Sequence, residues 1–313
     1  MVKEKNKKNY VRKAKQKEAA FGLFWVMNGV VGFALFTVAP LALALASMFV
    51  NMKGYQLDTI EWVGLANFKE VLGDPKFWIS LRNTVGYAMV NMVSLGIAVV
   101  TGLVLSQKYR GTNFFKALFF VPNVCSSVAV TMIWMTMFNE EYGIINDVLM
   151  RMFGDGAKVA WYSKALPFFF MIFIIMLWQA PGYGIVMINA ALTTVPNELN
   201  EAAVIDGATK FQLLRYVSLP TIRPTMFYLL ITGIMSGFQA YGIQLLVGSS
   251  LGNGWTGAAG PNDAGLSLVL YIYNSGVLYG NMPKAVVMSF ILFWIVFVFI
   301  MLNFARERRM NNE

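Results

Sequence analysis

Six stretches of the chain are apolar through their centres, with no acidic or basic residue there: 21–50, 83–107, 114–138, 167–193, 224–247 and 285–305. Each is long enough to cross about 30 Å of hydrocarbon as a helix. The pattern predicts an all-α integral membrane protein with six transmembrane helices. Residues 1–20 form a basic tail, 21–305 the six-span domain and 306–313 a short second tail. Pro40, Pro122 and Pro181 fall inside spans, where proline is tolerated better than in soluble helices. Three longer polar segments, 51–82, 139–166 and 248–284, alternate with the segment 194–223. In the first, Trp62, Leu65, Phe68, Val71 and Leu72 stand near helical spacing, which predicts an amphipathic helix.

Composition agrees with this pattern. The chain has 313 residues, of which 57% are hydrophobic and 13% charged, with a mean hydropathy of +0.57. Soluble domains carry about 25% charged residues. One cysteine, Cys125, excludes an internal disulfide, and the absence of histidine argues against a His-based zinc site or catalytic triad. No GxxxxGK[ST] phosphate loop occurs, so the chain is not expected to hydrolyse ATP or to hold a cofactor. The net charge of +9 is concentrated ahead of the first apolar stretch, at Lys3, Lys5, Lys7, Lys8, Arg12, Lys13, Lys15 and Lys17. That placement speaks against nucleic acid as a partner and for an uncleaved first span facing membrane lipid.

Lysine and arginine also predict orientation. With the N-terminus inside, 17 of the 25 basic residues fall on the inner side and 8 on the outer. The bias places both termini in the cytoplasm, and with them 194–223.

That inner segment contains EAAVIDGATKFQLLRYVSLP at 201–220. Pro196 suits the first turn of a helix, and Glu198 and Glu201 lie where negative charge favours the helix dipole. Gly207 can take positive φ and end that helix. Thr209 and Gln212 fit a capping box for a second helix, which Pro220 is expected to stop. The segment is therefore read as helix, glycine bend, helix.

The run Glu201-Ala202-Ala203, Asp206-Gly207-Ala208 and Leu219-Pro220 resembles the cytoplasmic coupling loop of permease subunits in ABC importers. The stretches GLANFKEVLGDPKFWISLRNT (64–84), LFFVPNVCSSVAVTMIWMTMFNEEYGIIN (118–146) and AGPNDAGLSLVLYIYNSG (259–276) are similar to segments of the maltose and multiple-sugar permeases, in their compact six-span form. The resemblance implies a subunit of a bacterial cell-membrane importer, forming half of a pathway for a sugar or oligosaccharide. It implies as partners a second homologous permease, two ATPase subunits that bind ATP and Mg, and an extracellular sugar-binding protein. It assigns ATPase coupling to the eight residues just named. Substrate contact is carried to Gln179, Tyr183, Thr232, Met235, Ser236 and Gln239.

The last four of these share one helical face by spacing alone. Tyr183, Phe238 and Tyr241 could add the flat surface a sugar ring packs on. The spans lack a charged residue at this level, which favours a neutral solute over an obligate ion. Glycerol phosphate or another polyol remains the alternative cargo. A self-sufficient ion-coupled carrier is the alternative class, and it leaves the 201–220 segment unexplained.

Overall fold

The computed structural model describes residues 18, 21, 22, 24–52, 60–106, 110–250 and 259–312. The basic tail, apart from Glu18, lies outside these residues, as do 53–59 and 251–258. Among the described residues five helices are long and apolar enough to span a membrane, and a bent pair meets the same measure when its halves are taken together. They are α1 (Phe24–Ser47), α3 (Pro75–Ser106), the pair α4 (Thr112–Val124) and α5 (Ser127–Met137), α7 with α8 (Ala165–Gln179, Pro181–Thr193), α11 with α12 (Arg223–Phe238, Gly242–Ser250), and α14 (Met282–Asn312).

The predicted spans are recovered, with three differences. The second begins at Pro75 and not near residue 83, because Asp74 ends the preceding helix and Pro75 needs no helical donor. The third is not one rod: Cys125 (ψ 146°) and Ser126 (ψ 125°) are extended, and the halves bend by 96°. Pro122 removes a helical N–H just before this break. The fifth is interrupted at Gln239 (φ −95°, ψ 4°), with α12 resuming at Gly242.

The amphipathic helix predicted after the first span is shorter than its apolar spacing suggested. It is α2 (Ala66–Gly73), with Val71 buried and Phe68 packed on the core. Trp62 instead lies in a two-stranded ribbon, β1 (Val50–Asn51) against β2 (Glu61–Trp62), stacked on Phe49. Leu65 and Leu72 are exposed.

The centre of the bundle is α3. Apart from Phe77, Val90 and Leu105, its buried face is small or polar: Ser80, Asn83, Thr84, Tyr87, Ala88, Ser94, Ala98 and Gly102. Small residues allow close helix approach where no hydrophobic effect drives association. A Cβ on Gly237 of α11 would lie 2.6 Å from Ala88 Cα, and one on Gly102 would lie 2.6 Å from an Ile188 methyl carbon of α8. The neighbours α8 and α11 therefore pack directly on the α3 backbone.

The segment 259–278, part of the polar stretch 248–284, is inserted into the bundle as a turn followed by a helix. Its helix α13 (Leu268–Leu278) has Leu268, Leu270 and Tyr271 buried. The preceding turn is held by the polar stripe of α3. Asn83 Nδ2 donates to the carbonyls of Asp263 (2.8 Å) and Leu266 (3.1 Å). Tyr87 OH donates to the Ala264 carbonyl (2.9 Å), and the Leu268 N–H donates to Thr84 Oγ1 (2.7 Å).

At the same end, Lys284 Nζ donates to Asp74 Oδ2 (2.8 Å), and Tyr271 OH donates to the same oxygen. Glu70 lies 3.4 Å from Lys284. Burial pushes the Asp74 carboxyl up, but the hydrogen bonds from Lys284 and Tyr271 outweigh it and hold it below the usual carboxylate range. A lowered folded pKa adds stability above the unfolded value, about 3.9, and loses it as pH falls through the folded value. The melting temperature of purified protein should therefore be insensitive to this group between pH 7 and 5 and fall below pH ~4. Asp74→Asn should be less stable at neutral pH and show a shallower acid limb. Parallel melting curves for the two proteins down the acid limb would remove Asp74 from this role.

Candidate coupling elbow and central cavity

Two features can carry function. One is an elbow at 194–222. Its first helix, α9 (Asn197–Ile205), starts after Pro196, which is the cap residue (φ −59°, ψ 133°) and not the first helical position. Gly207 has φ +79°. The Gly207 N–H donates to the Val204 carbonyl (3.1 Å) and the Ala208 N–H to the Ala203 carbonyl (2.9 Å), the paired bonds of a glycine-terminated helix.

The second arm opens with the predicted capping box. The Thr209 N–H donates to Gln212 Oε1 (2.7 Å), and the Gln212 N–H to Thr209 Oγ1 (3.3 Å). This arm, α10 (Lys210–Leu213), does not stop at Pro220. It runs through a π turn (Leu214–Ser218) and one short helix (Leu219–Thr221), and breaks at Ile222 (φ −88°, ψ 2°). The π turn just before it already interrupts the regular ladder, so Pro220, which has no N–H to donate, is carried within the run and does not end it.

Glu201, Ala202, Asp206, Gly207 and Pro220 are exposed, while Ala203, Ala208 and Leu219 are half-buried. The roots are anchored: Val195, Ile222, Leu229 and Ile188 form a buried cluster with Leu219 against it. Arg223 also lies 3.7 Å from Glu307 of α14. The arms carry exposed large apolar groups at Val204, Ile205, Phe211 and Tyr216. Apolar side chains fixed on a rigidly rooted arm form a surface suited to a protein partner.

The second feature is an open-sided cavity of about 840 Å³ lined by α3, α4, α5, α7, α8, α11 and α12. All six residues carried over for substrate contact line it: Gln179, Tyr183, Thr232, Met235, Ser236 and Gln239. The cavity lies where spans are interrupted. Cys125 sits at the 125–126 break, Ala180 between α7 and α8, and Gln239, Ala240 and Tyr241 at the break of the fifth span.

No Asp, Glu, Lys or Arg lines it among the described residues. Thr232 donates its hydroxyl to the Tyr228 carbonyl (2.8 Å), leaving only its lone pairs free. Tyr241 is at the cavity as expected, but Phe238 is not: it is buried and packs near Phe299 of α14, on the opposite side of α11. Ile234 is buried away from the cavity, as its helical phase requires. Asn189 donates to the Gly102 carbonyl (3.4 Å) and does not line the cavity.

The structure adds residues that the resemblance did not point to. Asn91 and Ser94 reach the cavity from α3, Asn123 and Ser127 from the third span, and Gln244 from α12. Asn91 was legible in principle, since a carboxamide in an apolar span is a functional candidate by default.

Comparison with known proteins gives this geometry its context. The chain is 30% identical over 285 residues to the "Probable ABC transporter permease protein YesP" of Bacillus subtilis (strain 168), covering 90% of this chain and 88% of that one. It is 26% identical to the lactose transport system permease protein LacF of Rhizobium radiobacter, covering 92% and 95%. It is 25% identical to the trehalose/maltose transport system permease protein MalF of Thermococcus litoralis, covering 96% and 99%. In fold it matches a chain of a bacterial ABC transporter involved in the import of the acidic polysaccharide alginate, at a TM-score of 0.77 and 18% identity over 95% of this chain and 99% of that one. The family model described as "Binding-protein-dependent transport system inner membrane component" matches residues 94–312, and the chain belongs to that family of multi-pass ABC importer permeases.

Proposed function

We propose that the chain is one half of the transmembrane pathway of an ATP-driven importer for a sugar or oligosaccharide. The observation that carries this reading is the uncharged, amide- and hydroxyl-lined cavity at the breaks of three spans. Relatives named for lactose, trehalose/maltose and arabinooligosaccharides support the cargo class. A relative named for sn-glycerol-3-phosphate marks the competing one.

A second, homologous permease would close the open side of the cavity, and an extracellular binding protein would deliver the sugar. Two ATPase subunits would bind ATP and Mg and grip the elbow through Glu201, Ala202, Ala203, Asp206, Gly207 and Ala208 and the exposed apolar groups beside them. In this orientation both termini and the elbow are cytoplasmic, in a bacterial cell membrane. The chain itself hydrolyses nothing. It passes the movement of the ATPases through the buried 188–195–222–229 anchor into α8 and α11, which line the cavity. The two ATPase states bias the spans by differential contact, as any such population shift requires.

The test is Gln239→Leu in the reconstituted complex. The variant keeps bulk but leaves a sugar hydroxyl unpaired, a loss of about 1–3 kcal/mol. The concentration for half-maximal uptake should rise roughly ten- to hundredfold, with complex assembly and basal ATPase activity retained. Sugar uptake that needs no ATPase partner would sink the reading.

A further inference from the structure

Carboxamide side chains in the apolar interiors of the second to sixth spans fall into two groups. Asn83, Asn189 and Asn303 lie away from the cavity, and each donates to a backbone carbonyl. Asn91, Asn123, Gln179 and Gln239 all line the cavity, and among the described residues none of their side chains makes a hydrogen bond to protein. A fifth, Gln244, also borders it and is only 1% exposed. Its Nε2 makes a weak contact to Met176 Sδ (3.5 Å), and its buried Oε1 has no partner.

A carboxamide left without a partner in a membrane interior is costly unless something else satisfies it. Here the carboxamides without a protein partner converge from four different spans on one open space, where water or a bound solute supplies the partner. Asn91 is closely packed from across the helix interface. A Cβ on Gly233 would lie 3.2 Å from Asn91 Cβ, and one on Gly237 would lie 2.8 Å from Asn91 Nδ2. Two bare glycines of α11 therefore make room for this side chain and hold it at the cavity wall.

We propose that Asn91 is a substrate contact supplied by the second span. Together with Asn123, Gln179 and Gln239 it selects an uncharged polyhydroxylated solute over a phosphorylated or carboxylated one. The inference rests on the import reading above. A carboxamide offers two donors and an acceptor, and a hydroxyl is itself donor and acceptor, so vicinal hydroxyls can pair with it on both sides. A phosphate or carboxylate accepts only and calls for Arg or Lys, which the lining lacks among the described residues.

Cys125 provides a readout independent of transport. It is the only cysteine, it is exposed, and it lines the same cavity. The experiment uses the assembled complex with partner permease and ATPases, without binding protein. A water-soluble maleimide labels Cys125, and free solutes are scored for protection. The neutral probes are lactose, trehalose, maltotriose and arabinotriose; the anionic probes are glycerol 3-phosphate and an alginate trisaccharide. ATP-driven uptake with binding protein is measured in parallel.

The expected result is half-protection by at least one neutral probe at a concentration the anions do not match. In Asn91→Leu that concentration should rise about tenfold. A panel of single-deoxy analogues separates contact from packing. One deoxy position should weaken protection in the wild type and make no difference in Asn91→Leu, and Asn91→Ser should recover part of the discrimination if the leucine variant fails to assemble. An unchanged half-protection and deoxy profile in both variants would overturn the role of Asn91 while leaving the import reading intact. Protection by the anions equal to that by the neutral sugars would overturn the selection. Neither protection nor uptake with any probe would overturn both.

Discussion

Gly207→Val is expected to reduce ATP-driven uptake at least tenfold while the protein still inserts and folds. Gly207 sits at φ +79°, and a Cβ built there meets nothing within 4 Å. The penalty is thus one of backbone conformation and not of crowding. A left-handed conformation costs a residue with a Cβ about 1–2 kcal/mol, and each 1.4 kcal/mol is tenfold in an equilibrium. The elbow relieves that strain by giving up the bonds from Gly207 and Ala208 to the last turn of α9, which re-aims one arm against the other. Ile205 and Phe211, on opposite sides of the bend, can then no longer meet one partner surface together. Gly207→Asn should retain much of the activity, because asparagine tolerates this region. The measurements are uptake in proteoliposomes and co-purification of the complex. Wild-type uptake by the valine variant at equal expression would show that the bend is dispensable.

Asn83→Leu is expected to produce the largest loss of stability among the changes considered. The side chain is 3% exposed and its amide serves two carbonyls, those of Asp263 and Leu266. Leucine matches it in size but leaves the buried Leu266 carbonyl without its donor, at about 1–3 kcal/mol, and the Asp263 carbonyl with only the Leu266 N–H (3.0 Å), a smaller loss. A combined destabilisation of about 2–4 kcal/mol follows if the turn relaxes only in part. Tyr87→Phe removes a single bond, to the Ala264 carbonyl, and should cost about 1 kcal/mol. Thermal unfolding in detergent or nanodiscs would rank the three proteins. An Asn83→Leu melting temperature equal to that of the wild type would show that the turn is held by packing alone.

The spans and the elbow were legible because each is a local code. Apolar length marks a membrane crossing, and Gly207 with Thr209 and Gln212 marks an end and a start within a few residues. What was not legible depends on contacts between distant segments. The insertion of 259–278 is driven by Asn83, Thr84 and Tyr87 nearly 180 residues earlier in the chain, which no window of sequence joins to it. The bend at Cys125 escaped because Pro122 weakens a helix without stating how far the chain then turns. Phe238 was misplaced because the face of a helix near its end shifts with the local break, and the chain leaves helical geometry at the next residue. The six cavity residues carried over by resemblance do converge, since helical phase on α11 fixes Thr232, Met235 and Ser236 together and Gln239 caps the same helix. Asn91 lies on a span the resemblance did not mark, and only the approach of Gly233 and Gly237 brings it to the same wall.

The bonds that seat the 259–268 turn have a consequence for how this part of the protein can change. Asn83 and Tyr87 donate to main-chain carbonyls, and Thr84 accepts a main-chain N–H. The receiving positions, Asp263, Leu266, Ala264 and Leu268, supply only backbone groups, with a residue preference of their own at Asp263, whose φ of 55° favours Asp, Asn or Gly. As far as these bonds are concerned, sequence at the turn is free to drift while its path stays fixed by three side chains on α3. A turn grafted from a relative should therefore dock wherever those three are kept, provided the replacement keeps glycine at 260 and 265, where a Cβ would run into the Phe168 ring, and Asn, Asp or Gly at 262 and 263, where φ is positive. The recipient helix, not the transplanted loop, carries the instructions for the join.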